Sequence, residues 1–498
     1  MTDLQREATP GSAGVVQENT FAGLLKKSFR PANDEKQQAI EQAVGTLADW
    51  ALRNTKLIGD DTVESIKALI GEIDQKLSAQ LNEILHHADF QKLEGAWRGL
   101  HYLVNNTETD EQLKIRVMPI SKAELRTTTR KFKGSAWDTS PLFKKIYEEE
   151  YDVLGGQPYG CLVGDFQFDH SPADVETLGE IAKIAAAAHA PFISAANPTT
   201  MGMESWRELS NPRDLSAIFT TPEYAAWNSL RKSEDSRYIG LTLPRFLARR
   251  PYGAKSDPVE DFDFEEQTAG ADPSKFCWAN AAYAMGVNIN RAFKLYGWCT
   301  RIRGVESGGA VEGLPTYTFP TDDGGVDIAC PTEIAISDRR EAELAKNGFM
   351  PLVHRKNTDF AAFIGAQSLQ KAATYDDPDA TANAELSTRL PYLFASSRFA
   401  HYLKAMVRDK VGGSLGGPQE IQKWLQSWIM KNYVHGNPAV ASEAEKAKKP
   451  LAAAEVVVAE LEDNPGYYAA QFFLKPHYQL EGLTIALKLV SRLKSEKK

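Results

Sequence analysis

The chain has 498 residues, 43% hydrophobic and 25% charged, an ordinary globular composition with length for two or three domains. Its net charge of −9 argues against nucleic acid or an anionic membrane as the main partner. No apolar run approaches the roughly 18–20 residues of a bilayer span, and the opening MTDLQREATPGSAG lacks the apolar core of a signal peptide.

Residues 1–20 read as a flexible tail. Phe21, Leu24, Leu25 and Phe29 of FAGLLKKSF then form one stripe of a short helix that Arg30-Pro31 closes. Such a helix on a tether is either gripped by another protein or folded back onto the body. A second amphipathic stretch carries Ile40, Val44, Leu47 and Trp50. A third starts at Asp61 and runs from Val63 through Ile84, its stripe continuing through Phe90, Leu93, Trp97 and Leu100. These helices need partners, either one another or a second polypeptide.

From Gln112 the texture changes, and QLKIRVMPI reads as a strand. Tyr159–Phe166 is a buried strand, Ser171-Pro172 with Asp174 a helix start, Val175 to Ala188 the helix, and Pro191–Ala196 the next strand. This spacing predicts a parallel βαβ crossover in an α/β layer. Tyr238–Leu243 is a further strand, and Phe276–Tyr296 a buried helix. Thr316–Phe319 is a short strand in a glycine-rich stretch, while Asp359–Gln370, Ser396–Lys410 and Gln419–Tyr433 read as helices. Ala453–Leu461, Tyr467–Leu474 and Tyr478–Leu493 read as three strands, the last with Leu483, Ile485, Leu487 and Leu489 on one face. A long alternating strand at a chain end either adds to another chain's sheet or closes an internal meander. The fold class is therefore α/β with α+β character: a helical N-terminal region, a central α/β layer and C-terminal helices with a three-stranded antiparallel meander. The divisions fall at 1–33, 34–110, 111–375 and 376–498.

Chemistry is sparse. The four cysteines, Cys161, Cys277, Cys299 and Cys330, include no CxxC pair, so structural zinc and disulfides are not expected and the compartment reads as a reducing cytosol. Cys161 and Cys277 lie in apolar runs and read as core thiols. Asp165, Asp169 and His170 at the end of a parallel strand are the one candidate for a metal-dependent hydrolase, against a plain helix-start role for His170. His86-His87 sit in a helical stretch and, about 100° apart, do not share a metal. P-loop, GxSxG, HExxH and Rossmann glycine motifs are missing. The chain reads as a structural protein without a cofactor. The cationic stretch 396–410, with Arg398, Lys404, Arg408 and Lys410 beside Phe399, Tyr402 and Leu403, is either a docking helix or a core helix with a solvated edge.

Three long runs carry a resemblance: FDHSPADVETLGEIAKIAAAAHAPFISAANP, LPRFLARRPYG and NPGYYAAQFFLKPHYQLEGLTIALKLVSRL. In this order they resemble the large subunit of the type VI secretion system contractile sheath (the TssC/VipB family), itself related to contractile phage tail sheaths. The likeness extends over about residues 20–498.

The resemblance implies a heterodimer with a small sheath subunit of the TssB/VipA type. Neighbouring heterodimers polymerise in the bacterial cytoplasm around an inner tube of the Hcp type, on an envelope-anchored baseplate, and an AAA+ unfoldase of the ClpV type recycles the contracted polymer. On that basis Phe21, Leu24, Leu25 and Phe29 are the unfoldase grip. The Leu483–Val490 strand is exchanged between neighbours to complete a shared sheet, the helices between 34 and 100 pair with the small subunit, and Arg398, Lys404, Arg408 and Lys410 face the tube.

Overall fold

In the computed structural model the described residues are 35–36, 38–39, 42–46, 62–211, 214–254, 256–260, 262–268, 273–320, 325–410, 418–435, 440–460 and 468–477. The FAGLLKKSF segment and the Leu483–Leu489 strand lie outside them. The chain divides into two units, Met1–Ile84 with Pro258–Glu266, and Leu85–Asp257 with Gln267–Lys498.

The first unit is represented chiefly by helix α1 (Thr62–Leu85). Asn82 is buried and donates to the Glu265 carbonyl at 3.2 Å. Ile70, Leu77 and Ile84, seven residues apart, are exposed. Of the stripe read from the sequence, Ile73 and Leu81 are half-buried.

The second unit is built on a six-stranded sheet, in which β1 (Leu162–Phe168), β2 (Phe192–Ala196), β3 (Ile239–Leu243), β4 (Ala310–Val311), β5 (Phe349–His354) and β6 (Ala361–Phe363) lie in the order β1-β2-β3-β5-β6-β4. The first four in that order run parallel and the last two pairings are antiparallel. The expected βαβ unit is there. Ser171 caps helix α4 (Pro172–Ala188), which joins β1 to β2. Helices α2 (Ala88–Asn105) and α3 (Lys122–Lys131) precede β1. On one side of the sheet α4 contributes Leu178, Ile181 and Ile184 to a core with Trp227 and Phe349. On the other, α5 (Ala281–Tyr296) and the start of α6 (Leu390–Lys410) pack Met285, Ile289, Leu390 and Leu393 on Ile193 and Met350. Adjacent Phe192 and Ile193 go to opposite cores, as strand alternation requires.

Four expectations change. Residues 113–120 form no strand: the side chains alternate, but no ladder partner is present among the described residues. Residues 359–370 are not a helix. Ala361, Ala362 and Phe363 are buried as β6 between β5 and β4, so pairing overrides the helix preference of alanine. His86-His87 lie at a break, where the His87 side chain accepts from the Asp89 N–H at the start of α2. Helix α5 begins at Ala281 because the Asn280 side chain accepts the Ala282 N–H, leaving Trp278–Ala279 as a short strand against Phe246–Leu247.

Candidate partner-binding cleft and open strand edges

β1 is an edge strand, with β2 on one side and no described strand on the other. Beside that free edge lies a cleft of about 820 Å³. Its walls are residues 114–120, Leu103 of α2, Ile181 and Ile184 of α4, and Tyr283 and Ile289 of α5. The far wall is the segment expected to be a strand. Its polar side is fastened: Arg116 pairs with Glu150 and donates to Gln157 at 3.2 Å, and Lys114 also reaches Gln157. Of its apolar residues Ile115 and Ile120 pack against the core, while Val117 is 64% and Met118 44% exposed. The edge strand β1 and the segment 114–120 thus both line an apolar slot, and a strand is about 4.8 Å wide in the sheet direction and about 10 Å through the sheet, so 820 Å³ holds roughly five residues of strand.

Helix α2 has two faces. Gly95 and Gly99 turn inward, where a Cβ would come 2.4 Å from the Trp278 carbonyl oxygen or from the Tyr283 ring. The opposite face exposes Leu93, Trp97 and Val104 at 57%, 66% and 43%. Glu94 ties the helix down: Arg249, 5% exposed, donates to it at 2.7 Å and Arg98 at 2.8 Å. Burial opposes ionisation of Glu94, yet Arg249 and then Arg98 hold its carboxyl below the usual range.

The C-terminal part repeats the theme. Strands β7 (Leu451–Glu460) and β8 (Tyr468–Pro476) form an antiparallel ribbon. Val456 and Val458 pack on Leu425 and Ile429 of α7 (Pro418–Tyr433) beside Trp298 and Phe399. The outer edge of β7 is covered: Gln426 accepts the Val456 N–H and donates to the Ala454 carbonyl, both at 2.8 Å, and Gln422 accepts the Val458 N–H. The far edge of β8 has no described partner. Phe473 on the ribbon's outer face is 56% exposed. The third strand of the expected meander falls outside the described residues.

The cationic residues of α6 are engaged by their own chain. Lys404 pairs with Asp152 at 2.6 Å and sits over the rings of Tyr147 and Tyr151. Arg408 donates to the carbonyls of Val153 and Tyr151, and Arg398 stacks over Phe293 and Tyr402. Lys410 ends the helix.

The hydrolase residues do not converge. Asp165 lines the cleft and is held by Asn280 and Tyr283; the protein packed around it raises its carboxyl pKa although cleft water reaches it. Asp169 accepts the Ser171 N–H at 2.8 Å, and His170 stacks on Tyr224 at 4.4 Å. The carboxylate that is buried here is Asp174, which binds Lys122 and Arg126 of α3, each at 2.6 Å. Among the described residues no group of three His, Cys, Asp or Glu is placed to hold a metal. Nor is any described helix long and apolar enough to cross a membrane.

Among the described residues, a sheet unpaired at one edge, a helix showing an apolar stripe and a two-stranded ribbon unpaired at its far side are features of a subunit that assembles with other chains. Residues 67–370 match the family described as EvpB/VC_A0108 tail sheath N-terminal domain, and residues 379–493 the EvpB/VC_A0108 tail sheath gpW/gp25-like domain. The type VI secretion system sheath protein TssC1 of Pseudomonas aeruginosa strain PAO1 is 70% identical over 498 residues, covering 100% of both chains. Among solved structures, a chain of the anti-feeding prophage baseplate superposes with a TM-score of 0.35 at 13% identity, covering 80% of this chain and 87% of that one. The contracted PVC sheath complex gives 0.32 at 9%, covering 63% and 68%. By its two family matches and its full-length relative, the chain belongs to the EvpB/VC_A0108 tail sheath family.

Proposed function

We propose that the chain is the large sheath subunit of a type VI secretion system, and that the slot beside β1 receives a strand of the small sheath subunit. The sheath role is supported by full-length identity to TssC1. The slot carries the partner reading: among the described residues the β1 edge and the segment 114–120 have no ladder partner, and apolar walls lie between them. A strand placed there would satisfy backbone groups on both sides and cover Val117 and Met118. The exposed stripe Leu93–Trp97–Val104 then becomes a second contact with the same partner.

The other roles follow from the resemblance. The heterodimers polymerise around an inner tube in the cytoplasm, and contraction releases energy stored at assembly, so the stroke uses no cofactor. Head-to-tail contacts generate an open helical polymer. The far edge of β8 is where an exchanged strand bearing Leu483, Ile485, Leu487 and Leu489 would add. Phe21, Leu24, Leu25 and Phe29 are the grip for the recycling unfoldase. A tube-facing role for α6 draws support from the resemblance alone, since Arg398, Lys404 and Arg408 already bind groups of their own chain.

Hydrogen exchange on the chain with and without the co-expressed small subunit tests the slot. The amides of 114–120 and of β1 should exchange quickly in the chain alone and become protected in the heterodimer. A heterodimer that forms while those amides keep exchanging would remove the strand from the slot.

A further inference from the structure

The four cysteines fall into two chemical classes. Burial pushes the thiols of Cys277 and Cys299 up to about 12, and that of Cys161 upward as well. None of these three has a described hydrogen bond to an imidazole, and with pKa values raised by burial they are weak nucleophiles, although Cys161 and Cys299 are half-buried like Cys330. Cys330 differs in its surroundings. It follows the short strand Val326–Ile328, and the chain just beyond it is pinned where the Leu247 N–H donates to the Pro331 carbonyl at 2.7 Å. Its Sγ lies 3.4 Å from Nδ1 of His354, the last residue of β5, and 3.2 Å from Oγ1 of Thr332.

The ring of His354 is oriented from its far side. Nε2 lies 2.9 Å from the Thr358 carbonyl oxygen, which only accepts. Nε2 therefore carries the proton in the neutral ring, and the Nδ1 lone pair faces the sulfur. A nucleophile, a base within reach of it and a third group fixing the base are the parts of an activated-thiol site. Thr332 adds a backbone N–H directed at the sulfur. Burial works against ionisation of Cys330, but His354 and Thr332 outweigh it and lower the thiol pKa, while the same contact and the Thr358 carbonyl outweigh burial at His354 and raise its pKa. Both residues are half-buried.

We propose that Cys330 and His354 form a thiol–imidazole pair, a modification site whose reactant class is the small hydroperoxide. The thiol proton passes to Nδ1, and the thiolate attacks the terminal peroxide oxygen. The S–O bond forms as the O–O bond breaks, and the leaving alkoxide or hydroxide takes the proton from Nδ1. Cysteine is oxidised by two electrons to the sulfenic acid and the peroxide is reduced to an alcohol or water. The site is independent of the sheath reading and of the β1 slot.

The test is peptide-resolved alkylation of the full-length native chain by iodoacetamide between about pH 6 and pH 9, a range spanning the ordinary thiol pKa near 8.5. Cys330 should react at least about tenfold faster than Cys277 near pH 7, with a midpoint below the ordinary value. His354→Gln should move that midpoint up. After hydrogen peroxide, dimedone should trap the sulfenic acid on Cys330 and not on the other three. A Cys330 that labels no faster than Cys277 would overturn the proposal, as would a midpoint that His354→Gln leaves in place. The ranking within the unmodified chain decides the matter even where the variant folds poorly.

Discussion

The edges of β1 and β8, neither with a described partner, are unlike each other. The edge at β1 faces a preformed slot, walled by helices that belong to the sheet's own core. The edge at β8 belongs to a ribbon of two strands, a unit marginal by itself, which α7 steadies from one side through Gln422 and Gln426. A slot selects by shape and holds its occupant on both flanks. A ribbon edge selects by register alone and stays free to pivot. One suits a permanent partner and the other a neighbour that must stay tethered while bodies move.

Deleting the chain from Leu483 separates the two edges most sharply. Sheath polymers should be abolished while the heterodimer, proposed to form through the slot, persists; long tubules in negative-stain micrographs of the truncated chain would refute the division. Next in size is the junction between the two regions. His401 of α6 is buried, with Nε2 2.9 Å from the Ala188 carbonyl at the end of α4. Burial, aided by the nearby charges of Arg398, His189 and Lys404, pushes its pKa down to about 4, and Tyr151 packs on its ring. Its folded pKa lies below the unfolded value, so between about pH 6.5 and pH 4 the unfolded state binds the extra proton. Its contribution is complete above that window and is lost on acidification, on the order of 3 kcal/mol at most. The melting temperature should fall from pH 7 to pH 4.5, and His401→Asn should flatten the fall; an equally steep fall in the variant would place the acid sensitivity elsewhere. The smallest effect is expected for Gln426→Ala, which leaves the Val456 N–H and the Ala454 carbonyl unmet. Loss of about 1–2 kcal/mol confined to β7, read by hydrogen exchange, is the outcome consistent with a separately steadied ribbon. Uniform loss across the central sheet would show that the two edges share one cooperative unit.

The βαβ unit was legible because its signals are local. Ser171-Pro172 fixes the helix start, and the flanking apolar runs are short enough to be strands. The same locality explains the misreadings. Residues 113–120 have a strand's alternation, but a ladder is made by two segments, and the second is missing among the described residues. Residues 361–363 look helical until β4 and β5 are brought to either side of them. The slot was illegible for the same reason, since it is bounded by several separate stretches of chain between Leu100 and Asn290. The Cys330–His354 pair was missed because only the return of β5 brings His354, 24 residues on, beside the thiol. The exposed stripe of α2 was readable from residue spacing, although its inner glycine face was not noticed.

That glycine face bears on how the subunit carries load. Between the α2 backbone and the Tyr283 ring there is no side chain to bend, because a single added carbon at Gly99 would already collide with the ring. Tyr283 is also a wall of the slot. Close-packed interiors have low compressibility and transmit strain, so a push on α2 from its outer face, where Trp97 lies, is passed on to the Tyr283 wall. Longer side chains at Gly95 and Gly99 would have placed a cushion in that line. In a machine whose work is a single stroke, two bare glycines give it a rigid linkage.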